Sequence, residues 1–212
     1  NAAHQRTQQT RPDSTYVDYS YDDAGQLSTA LSFYSGGSPV TTEQLGFGYD
    51  TGRNLTKRTN NAAVTTYSVN SLNQVTSDGM LNFGYDGNGN RSSQSSGGSS
   101  VTYTYDDENQ LVQAETDTLY TPAGSRWKTV WAYDARGRVR VREDYSWYGP
   151  GSYFIRDRSV RYLYDGMRVI QERNENNTPQ VTYTRGLDRA SSWERAGGIG
   201  GLLARTAHSG AN

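Results

Sequence analysis

The chain has 212 residues, enough for one sizeable domain, and a formal net charge of −1, yet Leu, Ile, Val and Phe supply only 32 of them, a share low enough to raise the question of disorder. Near-neutral charge and 12% aromatic residues answer it in favour of a folded protein with a narrow, aromatic core. The lack of cysteine excludes disulfides, thiolate nucleophiles and cysteine metal ligands, and no run of about eighteen apolar residues offers a membrane span.

Residues 1–15 are polar, rich in Gln, Thr and Arg, and carry no periodicity. They lack the basic start and apolar middle of a signal peptide, and the first residue is not Met, as in a fragment or a processed product. We expect an irregular N-terminal segment here, lying loosely over the body.

From Tyr16 onward the text is a set of short alternating segments broken by Gly, Asn and Asp, with no sustained 3.6-residue apolar period. A unit repeats. Tyr21-Asp22, Tyr49-Asp50, Val69-Asn70, Tyr85-Asp86, Tyr105-Asp106, Tyr133-Asp134 and Tyr164-Asp165 stand in register at intervals of 28, 20, 16, 20, 28 and 31 residues. Two residues before each stands another aromatic, Tyr19, Phe47, Tyr67, Phe83, Tyr103, Trp131 or Tyr162; residues two apart in a strand share a face, so each copy, Val69 excepted, presents an aromatic pair to one side of a sheet.

The Asp or Asn at the second position can accept a hydrogen bond from the backbone two residues on and so open a type I turn. The fifth position is Gly25, Asn73, Gly89, Asn109 or Gly137 in five copies, the residue types that best tolerate a left-handed backbone closing such a loop with a bulge. Arg53 and Arg168 are the exceptions, with Gly52 and Gly166 nearby, and altered loops are expected there. An aliphatic residue follows at the seventh position, with Arg91 the outlier.

Each copy is thus a hairpin bend, and returning turns fall between copies, at 35–39, 59–61, 77–79, 95–99, 122–124, 149–152 and 174–179. The expected fold is all-β: an antiparallel meander of about 14 strands over residues 16–185, which strand twist should curl into a curved shell, spiral or hollow barrel. Residues 186–212 leave the repeat as an irregular, Gly-rich closing segment. One helical turn is expected around Ser192 to Arg195, a strand start at Leu202-Leu203-Ala204, and frayed residues from Thr206.

These units, with the stretch Tyr67-Ser68-Val69-Asn70-Ser71-Leu72-Asn73-Gln74, the run from Tyr164 to Glu172, and the closing Gly186-Leu187-Asp188 and Ala196 to Ala204, resemble bacterial Rhs and YD-repeat proteins over residues 16–204. The resemblance implies strands wound into a hollow shell enclosing a C-terminal toxic segment, or a repeat acting at the cell surface, and hence a secreted or surface location. It also implies a self-cleaving segment with an Asp-Pro motif, but no Asp-Pro dipeptide occurs in this chain.

Other signals point away from chemistry. His4 and His208 stand in polar tails, where solvated side chains are the simpler reading than a metal or general-base site. Asp22-Asp23 and Asp106-Asp107 offer carboxylates at turns, whereas calcium needs six or more oxygens in one place. Gly197 to Gly201 lacks the ending of a phosphate loop, and no Gly-x-Ser-x-Gly elbow occurs. Residues 126–168 hold 10 basic against 5 acidic residues, but alternation in Arg138-Val139-Arg140-Val141-Arg142 fits a strand with a solvated face better than a nucleic-acid site. We therefore assign no catalytic, cofactor-binding or metal residue and no enzymatic role. The expected partners are the rest of its own polypeptide, further copies meeting edge to edge in a fibre, or glycans stacked on Trp127, Trp131, Trp147 and Trp193.

Overall fold

The computed structural model describes residues 3–192 and 201–208. They divide between two compact units, Asn1–Gly84 and Tyr85–Asn212. In the first unit, β1 (Gln8–Thr10), β2 (Tyr16–Tyr21), β3 (Leu27–Phe33), β4 (Pro39–Tyr49), β5 (Leu55–Asn60) and β6 (Ala63–Thr66) follow one another in sheet order. The short strands β7 (Ser68–Val69), β8 (Val75–Ser77) and β9 (Asn82–Tyr85) lead to the boundary. In the second unit β10 (Arg91–Ser96), β11 (Ser99–Tyr105), β12 (Leu111–Thr116), β13 (Trp127–Tyr133), β14 (Val139–Tyr148), β15 (Tyr153–Asp165), β16 (Arg168–Arg173), β17 (Pro179–Arg185) and β18 (Leu202–Ala207) again run in chain order.

Neighbouring strands pair antiparallel, and no α-helix occurs among the described residues. The fold is therefore the all-β hairpin meander expected from the repeat. Every between-copy turn falls where Gly, Asn, Asp or Pro clusters in the sequence. Ser96 pairs Ser99 across Gly97 and Gly98, both at positive φ, as a two-residue hairpin loop requires. The connection from β12 to β13 is longer, with one 3-10 turn at Ala123–Ser125. Asp117 organises its start, accepting from the backbone N–H of Leu119, Tyr120 and Thr121 and from the Thr121 hydroxyl at 2.7 Å.

The described residues hold 18 strands rather than the expected 14. Two of the extra strands come from the ends. The N-terminal segment is not wholly irregular, because Gln8, Gln9 and Thr10 pair with Asp18, Val17 and Tyr16; an edge strand is held by main-chain bonds, so its polar side chains are no obstacle. In the closing segment, β18 pairs with β17 through Val181↔Ala207 and Thr184↔Ala204. Thr206 is thus within a strand, and the His208 N–H donates to Gln180 O at 2.9 Å. A third is β17 itself, beyond the seventh copy, and the last arises where Tyr67 interrupts one strand into β6 and β7, although its N–H still donates to Thr56 O at 2.8 Å. The helical turn expected beyond Ser192, Trp193 and residues 196–200 lies outside the described residues.

The core is thin because each sheet is a single layer. Its buried apolar residues are small: Val17, Ala30, Val40, Ala114, Val160 and Val181. Among the described residues no large side chain falls below 2% exposure. The aromatic pairs are half-buried, while Ser20, Thr104 and Ala132 between them are exposed, so the pairs lie on the more covered face. Ala114, the most buried at 2% exposure, sits in register between Tyr103 and Thr129. Replacing Ala114 with Leu should overpack this spot and cost about 1–3 kcal/mol, whereas Leu at exposed Ala132 should stay within about 0.5 kcal/mol of the parent; urea midpoints of the two variants check this.

Candidate functional site: a ladder of fastened turns

Six of the seven copies close with one backbone pattern. The N–H of the second residue donates to the carbonyl of the sixth, and the N–H of the fifth donates back to the second. The distances are 2.9 and 2.9 Å at Asp22, 3.0 and 3.0 Å at Asp50, Asn70, and Asp106, 2.9 and 3.1 Å at Asp86, and 3.0 and 2.9 Å at Asp134. The fifth residue is left-handed in each, with φ of 81° at Gly25, 67° at Arg53, 61° at Asn73, 86° at Gly89, 59° at Asn109 and 70° at Gly137. This is a type I turn closed by a left-handed bulge residue. Arg53 is therefore not an altered loop: it adopts the glycine-like conformation although a Cβ makes that costly.

The side chain at the second position locks the turn. Its Oδ1 accepts from the backbone N–H groups of the fourth and sixth residues, as at Asp22 (3.0 and 2.8 Å), Asp86 (2.9 and 2.8 Å) and Asp106 (3.0 and 2.8 Å). Asn70 does the same at 2.9 and 3.0 Å, because the turn needs an acceptor and not a charge. Three of these carboxylates are held below the usual range by their neighbours: Asp50 chiefly through the Asn54 side chain, Asp86 through Asn90, and Asp134, lowered to about 2, through Arg138.

The seventh copy departs from this. Asp165 pairs with Arg168 across a two-residue loop of Gly166, at φ 60°, and Met167. Glycine directly after the Asp allows the tighter closure, and the carboxylate takes the Arg168 guanidinium at 2.6 Å.

Two sets of contacts fasten turns to neighbouring turns within each unit. The tyrosine hydroxyl of the first position donates to the seventh-position carbonyl of the preceding copy: Tyr49 to Leu27 at 3.0 Å, Tyr105 to Arg91 at 3.1 Å, Tyr133 to Leu111 at 2.8 Å and Tyr164 to Val139 at 2.8 Å. Tyr21 reaches Arg6 O at 2.9 Å in the same way. Burial raises the phenols of Tyr105, Tyr133 and Tyr164, which keeps the donor proton in place. The sixth-position side chain reaches forward to the next turn: Gln26 to Arg53 O at 3.2 Å, Asn54 to Asn73 Oδ1 at 2.9 Å, Asn90 to Asn109 Oδ1 at 2.8 Å, and Arg138 to Gly166 O.

The comparisons with known proteins bear on this ladder. The family model described as "Teneurin YD-shell" matches residues 2–160. The chain belongs to the teneurin YD-shell family. Among solved structures, this YD-shell chain is similar to a mutant Tc holotoxin pore of Photorhabdus luminescens, at 16% identity and a TM-score of 0.59, with 89% of this chain matched to 12% of that one. It is likewise similar to a TcdB2-TccC3-TEV crystal structure, at 17% identity and a TM-score of 0.57, over 84% of this chain and 10% of the other. At such identities the likeness concerns the fold, and the YD-shell chain spans only about a tenth of those two chains. No curated protein matches it.

The repeat is longer in the structure than in the sequence pattern. Asp188 accepts from the N–H groups of Ala190 and Ser192, with Ser191 at φ 53°, and Asn174 accepts from those of Asn176 and Thr178, with Asn177 at φ 62°. Both are the same turn without its tyrosine. The signal that could have found them is an Asx residue followed four places on by a hydrogen-bonding residue.

The remaining candidates are structural in their contacts. Trp147 packs edge-on against Phe154 at 5.1 Å with Arg126 over its ring at 4.8 Å; Trp131 is half-buried and Trp127 is 39% exposed. His208 meets the Thr182 hydroxyl at 2.8 Å. Among the described residues no group of three His, Asp or Glu side chains is placed to hold a metal ion, and no helix is long and apolar enough to cross a membrane, which says nothing of crossing by strands.

Two experiments test the ladder. Tyr49→Phe, Tyr105→Phe, Tyr133→Phe and Tyr164→Phe each remove one hydroxyl bond and should each cost about 0.5–1.5 kcal/mol in urea unfolding, while Gly89→Val should cost at least about 1 kcal/mol. For pH, the depressed Asp50, Asp86 and Asp134 carboxylates contribute stability that is fully present above their unfolded value near 3.8 and is lost as pH falls through their folded values. The melting temperature should therefore fall between about pH 4 and pH 2. Asp86→Asn should keep the turn at neutral pH, as Asn70 does, and lessen the acid loss.

Proposed function

We propose that this chain is a non-enzymatic wall segment of a YD-repeat shell that encloses or displays a C-terminal effector segment of its own polypeptide, outside the cell or at its surface. The observation that carries this reading is the fastening of turn to turn in a chain of the YD-shell family. Tyrosine hydroxyls reach back and sixth-position side chains reach forward within each unit, so these hairpins are held by their neighbours more than by a core beneath them. A wall of this kind extends by adding copies and keeps two faces available. The non-enzymatic reading is supported by what the carboxylates do: Asp22, Asp50, Asp86, Asp106 and Asp134 are occupied in closing turns.

A second reading, a fibre or adhesin assembled edge to edge, is favoured by β18. It stands last in its sheet among the described residues, with Leu202 and Leu203 49% and 69% exposed, and an exposed apolar edge invites another strand.

Electron microscopy of the full-length product separates the two. Discrete particles with a β-wall around internal density are expected; filaments that lengthen with concentration would favour the fibre, and particles without a wall would sink the shell reading.

A further inference from the structure

Most arginines between residues 138 and 173 are matched to a carboxylate, but three are not. Arg138, Arg142, Arg156, Arg158 and Arg168 each reach a carboxylate: Asp134 at 2.7 Å, Asp144 at 2.8 Å, Glu143 at 2.8 Å, Asp144 at 3.5 Å and Asp165 at 2.6 Å. Arg140 of β14, Arg161 of β15 and Arg173 of β16 make no ion pair among the described residues, and all three line one cavity of about 290 Å³. Arg161 pairs directly with Arg173, and Val141, the chain neighbour of Arg140, pairs with Arg161. Arg173 has only neutral acceptors, Gln171 Oε1 and Asn177 Oδ1. The nearest acid on this face, Glu143, is lowered by and engaged with the Tyr145 hydroxyl at 2.6 Å and Arg156 at 2.8 Å, and feels Arg161 only through space.

Two like charges directly opposite across antiparallel strands repel, and a third beside them adds to the strain. The cavity wall is otherwise supplied by Val141, Tyr162, Leu163 and Asn177, so the charges face a partly apolar recess in which Coulomb terms are less damped than in water. Guanidinium forks match the oxygens of phosphate and carboxylate groups.

We propose that Arg140, Arg161 and Arg173 form a binding site for a small, multiply charged oxyanion bearing phosphate or carboxylate groups. The anion replaces the carboxylate that the neighbouring arginines have and these three lack, and so ties β14, β15 and β16 together.

The test uses the whole chain at fixed ionic strength, with tripolyphosphate and citrate as probes in calorimetry and thermal melts. Both the wild type and the exposed-turn control Arg136→Gln should bind and melt higher with the anion. Arg161→Gln and Arg173→Gln should bind at least about tenfold more weakly, and Arg161→Gln should melt higher than wild type without anion because the repulsion is relieved. A response to tripolyphosphate alone assigns phosphate chemistry, and one to citrate alone assigns carboxylate chemistry, including an acidic side chain from another segment. Absence of wild-type binding, or equal affinity in Arg136→Gln, Arg161→Gln and Arg173→Gln, would overturn the site, as would a lower anion-free melting temperature for Arg161→Gln.

Discussion

A single-layer sheet has little apolar interior, so its strands must be held by the backbone and by whatever fastens one hairpin to the next. The left-handed fifth residue of each turn is the constraint on which that fastening depends. It lets the fifth and sixth residues fold back onto the second, which brings the sixth-position side chain to the rim of the sheet and within reach of the next turn. The carboxylate or amide at the second position then accepts two of the backbone N–H groups that the turn would otherwise leave open. Without the left-handed step the strands would splay, and the tyrosine hydroxyl would lose its carbonyl on the preceding hairpin.

This division of labour explains the composition. Small buried valines and alanines fill the little space that the sheet covers, and half-buried aromatics span the rest while spending their hydroxyls on neighbouring strands. Most of the acidic residues that repeat along the chain are occupied in backbone capping, and Arg156 and Arg158 of β15 meet Glu143 and Asp144 of β14. Because such exposed pairs contribute little to stability, their greater effect is to set which strands lie side by side. A YD-shell protein built this way can grow by repetition, since no copy relies on a distant partner for its own closure.

Much of this was legible in the linear pattern. The seven registered copies, the sites of the returning turns and the antiparallel order follow from residues whose conformational preferences are local. Two misreadings share one cause, which is that pairing across space overrides local character. Residues 8–10 look irregular because they are polar, yet β2 offers an edge. Arg53 lacks the glycine that its turn calls for, yet Asp50, Asn54 and the neighbouring turn hold it left-handed. Asp188 and Asn174 fall outside the pattern because the repeat is marked by its tyrosine, whereas the turn is made by the Asx residue. The tyrosines themselves read as packing aromatics, since nothing in a one-dimensional text marks a carbonyl 14 to 25 residues upstream as the hydroxyl's acceptor.

The sequence by itself determined the hairpin: where each bend lies, which residue opens it, and which residue must turn left-handed, because these depend on torsional preference and on groups a few bonds apart. Only the tertiary structure decided how hairpins are joined and that three arginines line one cavity without an ion pair, because each of these depends on strand register, which brings together residues that the chain keeps far apart.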